Sequence, residues 1–286
     1  WDTYVFGRGG GTDALREFAW LGSPGPQYGD IDTLRFDASV RVEDIVIHRD
    51  HRFDHNMTFI IEGTGESITV QDFYGYLSSD PLNSIERVAF ADGTVWSFED
   101  ILQQAMRGSH RNDNLLGHYA KDDFIEAGAG NDRVLALDHN DTLLGGDGND
   151  EMNGGEGDDI LVGGRGSDIL SGDAGNDTYR FGLGSDLDFI TNGSGVVADH
   201  DIVALGEGIT TANIRLARSG DALVVDIDGH ADRLVILGHF LEDEHWSRGG
   251  PIDALHFADG TIWTADDILG NLGSALDPMT VNIEGE

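Results

Sequence analysis

The sequence contains no cysteine and a single lysine, Lys121, among 286 residues. The missing cysteine removes disulfide stapling and every thiol mechanism. The scarce lysine belongs to a wider imbalance: 17 basic against 53 acidic side chains leave a formal charge of -36, which argues against nucleic acid or an anionic membrane surface as partner. No apolar run approaches the ~18 residues of a membrane span. The opening Trp1-Asp2-Thr3 is neither a start nor a signal peptide, so the chain is expected to be a piece of a longer protein. Catalytic signatures are missing as well: there is no H-E-x-x-H, no G-x-S-x-G and no P-loop. Carboxylate pairs are so numerous that nominating two as acid and base would carry no information. No catalytic residue is therefore nominated, and the segment itself is expected not to be an enzyme.

What is abundant is glycine, 41 residues, about twice the usual share of roughly 7 per cent, together with 39 aspartates. Both favour turns. From Gly108 to Phe189 they fall into ninefold register, with one extra residue placed at Glu126. Four windows are nearly ideal: GGDGNDEMN from Gly145, GGEGDDILV from Gly154, GGRGSDILS from Gly163 and GDAGNDTYR from Gly172. The sixth position of every window is Asp: Asp113, Asp122, Asp132, Asp141, Asp150, Asp159, Asp168, Asp177 and Asp186. The eighth is apolar in the first eight: Leu115, Phe124, Val134, Leu143, Met152, Leu161, Leu170 and Tyr179.

Six residues rich in Gly, Asn and Asp make a turn, because glycine enters positive φ without steric cost. The next three, such as Ile160-Leu161-Val162, make a short strand whose central side chain points inward. Two windows, 18 residues, then close one coil of a flattened right-handed solenoid. Its interior is the ladder of eighth-position residues, and its two edges are stacks of turns. The fold class expected is all-β, a parallel β-roll.

A longer similarity flanks this array. DTYVFGRGGGTD from Asp2 returns as DTYRFGLGSDLD from Asp177, and FADGTVW from Phe90 returns as FADGTIW from Phe257. A unit of about a hundred residues therefore occurs twice. In each copy the middle alternates as strands do, Thr58–Ile61 and Ser67–Val70 in the first, Ala222–Ile227 and Arg233–Leu237 in the second. Turns are expected at Gly63 and Asp228, and short helices after Ser97 and Thr264, both good N-caps. The resulting division is a first β-rich unit over 1–106, a roll over 107–180, a second β-rich unit over 181–272, and a tail over 273–286. Because DTYRFG ends an array in the second copy, the first unit is expected to cap an upstream array.

The windows resemble the G-G-x-G-x-D-x-U-x nonapeptide of the RTX (repeats-in-toxin) family, a calcium-binding parallel β-roll. The close match covers 145–180 and the looser one 108–189. The flanking units, with Y-x-F-G and F-A-D-G-T-x-W, are similar to the β-rich domain that accompanies such arrays in bacterial secreted proteins. The resemblance implies calcium, a hard ion that takes six to eight oxygens. Ligands would be the carboxylates of Asp132, Asp150, Asp168 and Asp186 on one edge and of Asp141, Asp159 and Asp177 on the other. Carbonyls at the first, third and fifth turn positions would complete the shells: Gly145, Asp147, Asn149, Gly154, Glu156, Asp158, Gly163, Arg165, Ser167, Gly172, Ala174 and Asn176. About four to six ions are expected. The windows from Gly108, Gly117 and Ala136 lack the turn glycines and should contribute least. The resemblance also implies export by a type I secretion machinery and folding on calcium outside a Gram-negative cell.

Other constellations have plainer readings. His48, His51 and His55 could gather a transition metal on a helix, but alignment with the second unit places them at a hairpin turn; His239 and His245, near Trp246, are equally ambiguous. The recurring aromatics Tyr4, Phe6, Phe90, Trp96, Tyr179, Phe181, Phe257 and Trp263 read as core and cap rather than sugar platforms. Trp246 and Tyr74-Gly75-Tyr76 leave an adhesin or glycan-binding role, and so a host-cell target, as the rival. Asp80-Pro81 and Asp277-Pro278 read as turns.

Overall fold

Along the array, burial alternates within each coil, from the aspartate to the small residue four positions on. An aspartate, an apolar residue and a small residue take the inward positions, as in Asp141-Leu143-Gly145, Asp159-Leu161-Gly163 and Asp168-Leu170-Gly172. This period of two is that of a strand with one buried face. Here it runs through the end of one window into the turn of the next, so the strands are longer than the three residues expected. The computed structural model describes residues 2–16, 32–49, 56–71, 85–119, 121–191, 199–240 and 251–273. They divide into two compact units: one runs from the start of the chain to Ser109 and takes in Asn114–Leu116, the other comprises His110–Asp113 and everything from Gly117 onward.

The first unit contains β1 (Thr3–Phe6), β2 (Thr12–Arg16), β3 (Thr33–Phe36), β4 (Ile45–Arg49), β5 (Met57–Ile61), β6 (Glu66–Gln71), β7 (Arg87–Ala89), β8 (Val95–Ser97), helix α1 (Phe98–Gln104) and the short β9 (Asn114–Leu116). Two four-stranded sheets, in the orders β1-β3-β7-β8 and β2-β6-β5-β4, enclose a core that includes Leu34, Phe36, Phe59, Ile61, Val88 and Ile101. Phe90 meets Trp96 edge to face, centroids 4.7 Å apart. Ser97 caps α1, accepting from the N–H of Asp100 while the Asp100 carboxylate accepts from the N–H of Ser97. This reciprocal capping box fixes where the helix begins.

The second unit begins with the roll: β10 (Phe124–Ala129), β11 (Arg133–Asp138), β12 (Thr142–Asp147), β13 (Glu151–Glu156), β14 (Ile160–Arg165), β15 (Ile169–Ala174) and β16 (Thr178–Phe181). It continues with β17 (Leu187–Ile190), β18 (Ile202–Leu205), β19 (Ile214–Ser219), β20 (Ala222–Ile227), β21 (Arg233–Ile236), β22 (Ala254–Phe257), β23 (Ile262–Thr264) and α2 (Ala265–Gly270). One sheet runs β10-β12-β14-β16-β18-β22-β23, and the other brings β11, β13, β15 and β17 alongside β21, β20 and β19. Leu143 pairs with Leu161 and Leu161 with Tyr179, all in parallel register. The step of 18 residues per coil is therefore met. No break in either sheet marks residue 180, because β16 and β17 each continue the roll and start the following β-rich part. Topologically β16-β18-β22-β23 and β17-β21-β20-β19 repeat the two sheets of the first unit, and Thr264 caps α2 as Ser97 caps α1.

The structure corrects the register at three places. Ile125, not Phe124, is the buried residue of its coil, at 0% against 54% exposed. The extra residue therefore sits inside the turn before Asp123, not at Glu126, and Asp123 replaces Asp122 in the buried row. At the other end Asp188, not Asp186, takes the inward position, since β17 pairs with β15 as Ile169↔Phe189, a step of 20. Asp186 is exposed and turns the chain with φ 60. Finally, the window from Ala136 makes the same turn as its glycine-rich neighbours, with Leu137 at φ 90 and His139 at φ 85. Pairing with the following coil, Leu137 against Gly155 and Asp138 against Glu156, holds the turn where L side chains are disfavoured, each at a cost of about 1–2 kcal/mol.

Candidate metal centre

Each inward aspartate faces its counterpart one coil away. Asp132 donates its backbone N–H to Asp150 Oδ1 at 2.8 Å, and Asp150 donates to Asp168 Oδ1 at 2.9 Å. On the opposite edge Asp123 donates to Asp141, Asp141 to Asp159, and Asp159 to Asp177, at 2.6, 2.7 and 2.9 Å. The two rows are continuous ladders in which one carboxylate oxygen is spent on the backbone. The other is not: the Oδ2 atoms of Asp132, Asp141, Asp150, Asp159, Asp168 and Asp177 are buried and meet no donor. An orphaned buried acceptor on an anionic group is costly, by about 1–3 kcal/mol or more. Six such atoms, three per edge, are a systematic feature.

Electrostatics give the same picture. Burial pushes the carboxyls of Asp132 and Asp150 up to about 6, and those of Asp141 and Asp159 to about 7. Burial likewise raises Asp168, and raises Asp177 to about 8, with neighbouring carboxylates adding to the rise at Asp177. A multivalent cation at these oxygens would reverse both effects, since it supplies the missing partner and the missing positive charge.

The space around Oδ2 is set by glycine. At Gly145, Gly154, Gly163 and Gly172 a Cβ would overlap Oδ2 of the aspartate five residues on, and at Gly145 it would also meet the carbonyl oxygen of Gly163. Of the other carbonyls expected as ligands, those of Asp147, Arg165 and Ala174 accept from Gly130, Gly148 and Gly157 N–H at 2.8 Å and keep one lone pair. The side chains of Asn149, Asp158 and Asn176 form an outer ladder, accepting from the N–H groups of Ser167, Asn176 and His200. The first-position glycines face the turn interior; Glu156 and Arg165 direct their side chains outward.

The donor set is oxygen only, anionic and carbonyl-rich, and it fits calcium. Among the described residues no three His, Cys, Asp or Glu side chains converge on one point, so backbone carbonyls would provide much of each shell.

The ladders extend beyond the nine windows. Asp168 donates to Asp188, Asp177 to Asp201, and Asp201 in turn to Asp253, while Asp186 donates its N–H to Asp232. Sequence reading missed Asp188, Asp201, Asp232 and Asp253, although each heads an Asp-x-apolar triplet like the end of a nonapeptide. At the start of one edge the pattern changes. Among the described residues no earlier inward amide donates to Asp123, and His118 takes that place, donating its own N–H to Oδ2 and lying with Nδ1 2.8 Å from Oδ1. Because a carboxylate only accepts, the imidazole Nδ1 carries the proton in this contact.

Of the remaining residues singled out by sequence, His51, His55, Tyr74, Tyr76, Asp80, Pro81, His245, Trp246, Asp277 and Pro278 lie outside the described residues. His239 is 9% exposed and accepts from the N–H of Ile252, and burial lowers its pKa to about 4, as expected of a neutral core histidine. Phe6, Phe90, Trp96, Tyr179, Phe181 and Phe257 are buried, so they fill cores. No helix among the described residues is long and apolar enough to cross a membrane.

Two family models match separate parts of the chain. The model of the haemolysin-type calcium binding protein related domain matches residues 56–100 and 223–267, one in each copy of the duplicated unit. The model of the RTX calcium-binding nonapeptide repeat matches 119–152 and 153–188. No curated protein matches the chain. Among solved structures, the extracellular lipase LipA from Serratia marcescens aligns at 15% identity with a TM-score of 0.31, over 85% of this chain and 36% of the lipase. Residues 119–188 are thus RTX calcium-binding nonapeptide repeats, flanked by two copies of the haemolysin-type calcium binding protein related domain.

Proposed function

We propose that the segment is a calcium-triggered folding module of a secreted bacterial protein. The observation that carries this reading is the set of six buried, partnerless Oδ2 atoms. Where calcium is scarce, ionised aspartates one coil apart repel each other and lose hydration on burial, so the open chain is favoured and can pass a type I secretion channel. Outside the cell millimolar calcium occupies the turns, about four to six ions, and the roll winds. Each independent site that binds only the folded form adds RT ln(1 + [L]/Kd) to stability, so several sites together can supply most of it. The β-rich part after the roll closes its end: β18, β21 and β22 extend both sheets and Asp201 and Asp253 extend one ladder. On this reading the module has no catalytic step of its own, and any activity belongs to other parts of its parent protein.

The test is circular dichroism on chelated protein titrated with calcium, with magnesium as control. Calcium should restore the strand signal. Magnesium should not, because it demands tight octahedral geometry. A chain equally folded in chelator at neutral pH would refute the model.

A further inference from the structure

The two copies of the β-rich unit share topology, yet corresponding residues at one edge differ in burial. Asp177 and Asp188 are 0% and 1% exposed, whereas their counterparts Asp2 and Asp13 are exposed. Tyr179 and Ile190 are 1% and 0% exposed, whereas Tyr4 and Leu15 are only half-buried. The difference has one origin in the second unit: β16 is covered by β14 and β17 by β15. In the first unit β1 pairs with β3 and β2 with β6, and among the described strands nothing lies on their other sides. The rest of the apparatus is present. Asp2 donates its N–H to Asp32 Oδ1 as Asp177 donates to Asp201, Asp32 donates to Glu86 as Asp201 donates to Asp253, and Gly9 donates to Glu66 as Gly184 donates to Asp232. Two parallel edges, side by side and each headed by an aspartate, form the seat that the roll occupies in the second unit.

We propose that the β1/β2 edge of the first unit is a docking surface for the C-terminal edge of another nonapeptide β-roll. The register follows from the second copy. Thr3, Tyr4 and Val5 would pair as Thr178, Tyr179 and Arg180 pair with Ile160, Leu161 and Val162. Ala14 and Leu15 would pair as Phe189 and Ile190 pair with Ile169 and Leu170. Asp2 and Asp13 would receive the inward amides of that roll, as Asp177 and Asp188 receive those of Asp159 and Asp168. An edge left open in this way is a template for strand addition, and the aspartates restrict it to a partner with matching amides. The inference rests on the calcium reading only in that the partner roll must be wound.

The test grafts residues 145–176 directly onto Asp2 of the full chain in place of Trp1, which recreates the natural junction Asn176-Asp177-Thr178-Tyr179. In calcium, amide hydrogen exchange at Thr3–Val5 and Ala14–Leu15 should slow by about tenfold or more relative to the parent chain, and native mass spectrometry should count additional calcium. Asp2→Ala with Asp13→Ala in the graft should abolish both gains while the resident array at 119–188 stays protected. Unchanged exchange at β1 and β2 beside a protected resident array would overturn the docking. Loss of protection in both arrays would overturn the calcium reading along with it.

Discussion

Asp159 Oδ1 accepts the backbone N–H of Asp141 at 2.7 Å, while Asp159 Oδ2, on the same carboxyl, is buried without a partner. One oxygen belongs to the fold and the other is left for a ligand. The Asp159→Asn variant separates the two roles, because it keeps an acceptor for Asp141 and removes the charge. It should wind more readily than the parent in chelator at pH 8 and need several-fold more calcium for full occupancy, as followed by circular dichroism and calorimetry. Equal calcium affinity would remove Asp159 from the site.

The pH dependence in chelator should be inverted relative to ordinary acid denaturation. The folded-state pKa values of Asp132, Asp150, Asp141, Asp159 and Asp177 lie at about 6 to 8, above the unfolded value near 3.8. Between these limits the folded chain binds more protons than the unfolded one, so stability falls as pH rises. The calcium-free roll should be most stable near pH 4 and lose that stability progressively up to about pH 8. With calcium bound the trend reverses, because protons then compete with the ion. Melting temperatures at pH 5 and 8, with and without calcium, check the sign.

Glycine spacing gives a third prediction. Gly163→Ala places a methyl group against Asp168 Oδ2, while Gly182 has open space around the same position. Gly163→Ala should destabilise the calcium-loaded form by about 1–3 kcal/mol and weaken calcium binding. Gly182→Ala should stay within about 0.5 kcal/mol of the parent, as measured by denaturant titration.

Asp188→Ala removes the carboxylate that receives the N–H of Asp168 at 3.1 Å. It should lower the unfolding midpoint by the cost of a lost buried acceptor, about 1–3 kcal/mol. Asp186→Asn, at an exposed left-handed position that suits asparagine, should be nearly neutral. The opposite ranking would restore the register expected from the sequence.

His118→Ala removes the imidazole from Asp123 Oδ1 and keeps the backbone N–H that donates to Oδ2. In chelator it should cost about 1–3 kcal/mol, and less in calcium, where a cation can take over the charge. Thermal unfolding in the two conditions measures the difference.

Much of this architecture was legible in the sequence because each coil repeats one local rule. The period of 18, the inward residues from Val134 to Tyr179, the caps at Ser97 and Thr264 and the duplicated unit all follow from spacing alone. The errors fall where strand pairing overrides the local pattern. Asp122 and Asp123 are adjacent, and only the pairing of Ile125 with Leu143 decides between them. Asp186 keeps the ninefold count, but β17 takes its register from β15 and selects Asp188. The turn at Leu137 and His139 lacks its glycines and forms anyway, because pairing with the coil after it imposes the conformation. Asp201, Asp232 and Asp253 join the ladders across gaps of 24 residues or more, as between Asp177 and Asp201, which no window of nine reveals.

The ladder also constrains how such a segment can change length in evolution. Every interior rung joins a carboxylate to an amide 18 residues earlier, and the ends differ from the middle: His118 completes the first rung of one edge, and Asp188 and Asp201 receive the last. Insertion or deletion of 18 residues between them adds or removes one interchangeable coil and leaves both ends matched. A change of nine would exchange the two edges and deliver β16 to the sheet of β17. Gains and losses in this array should therefore come in pairs of nonapeptides.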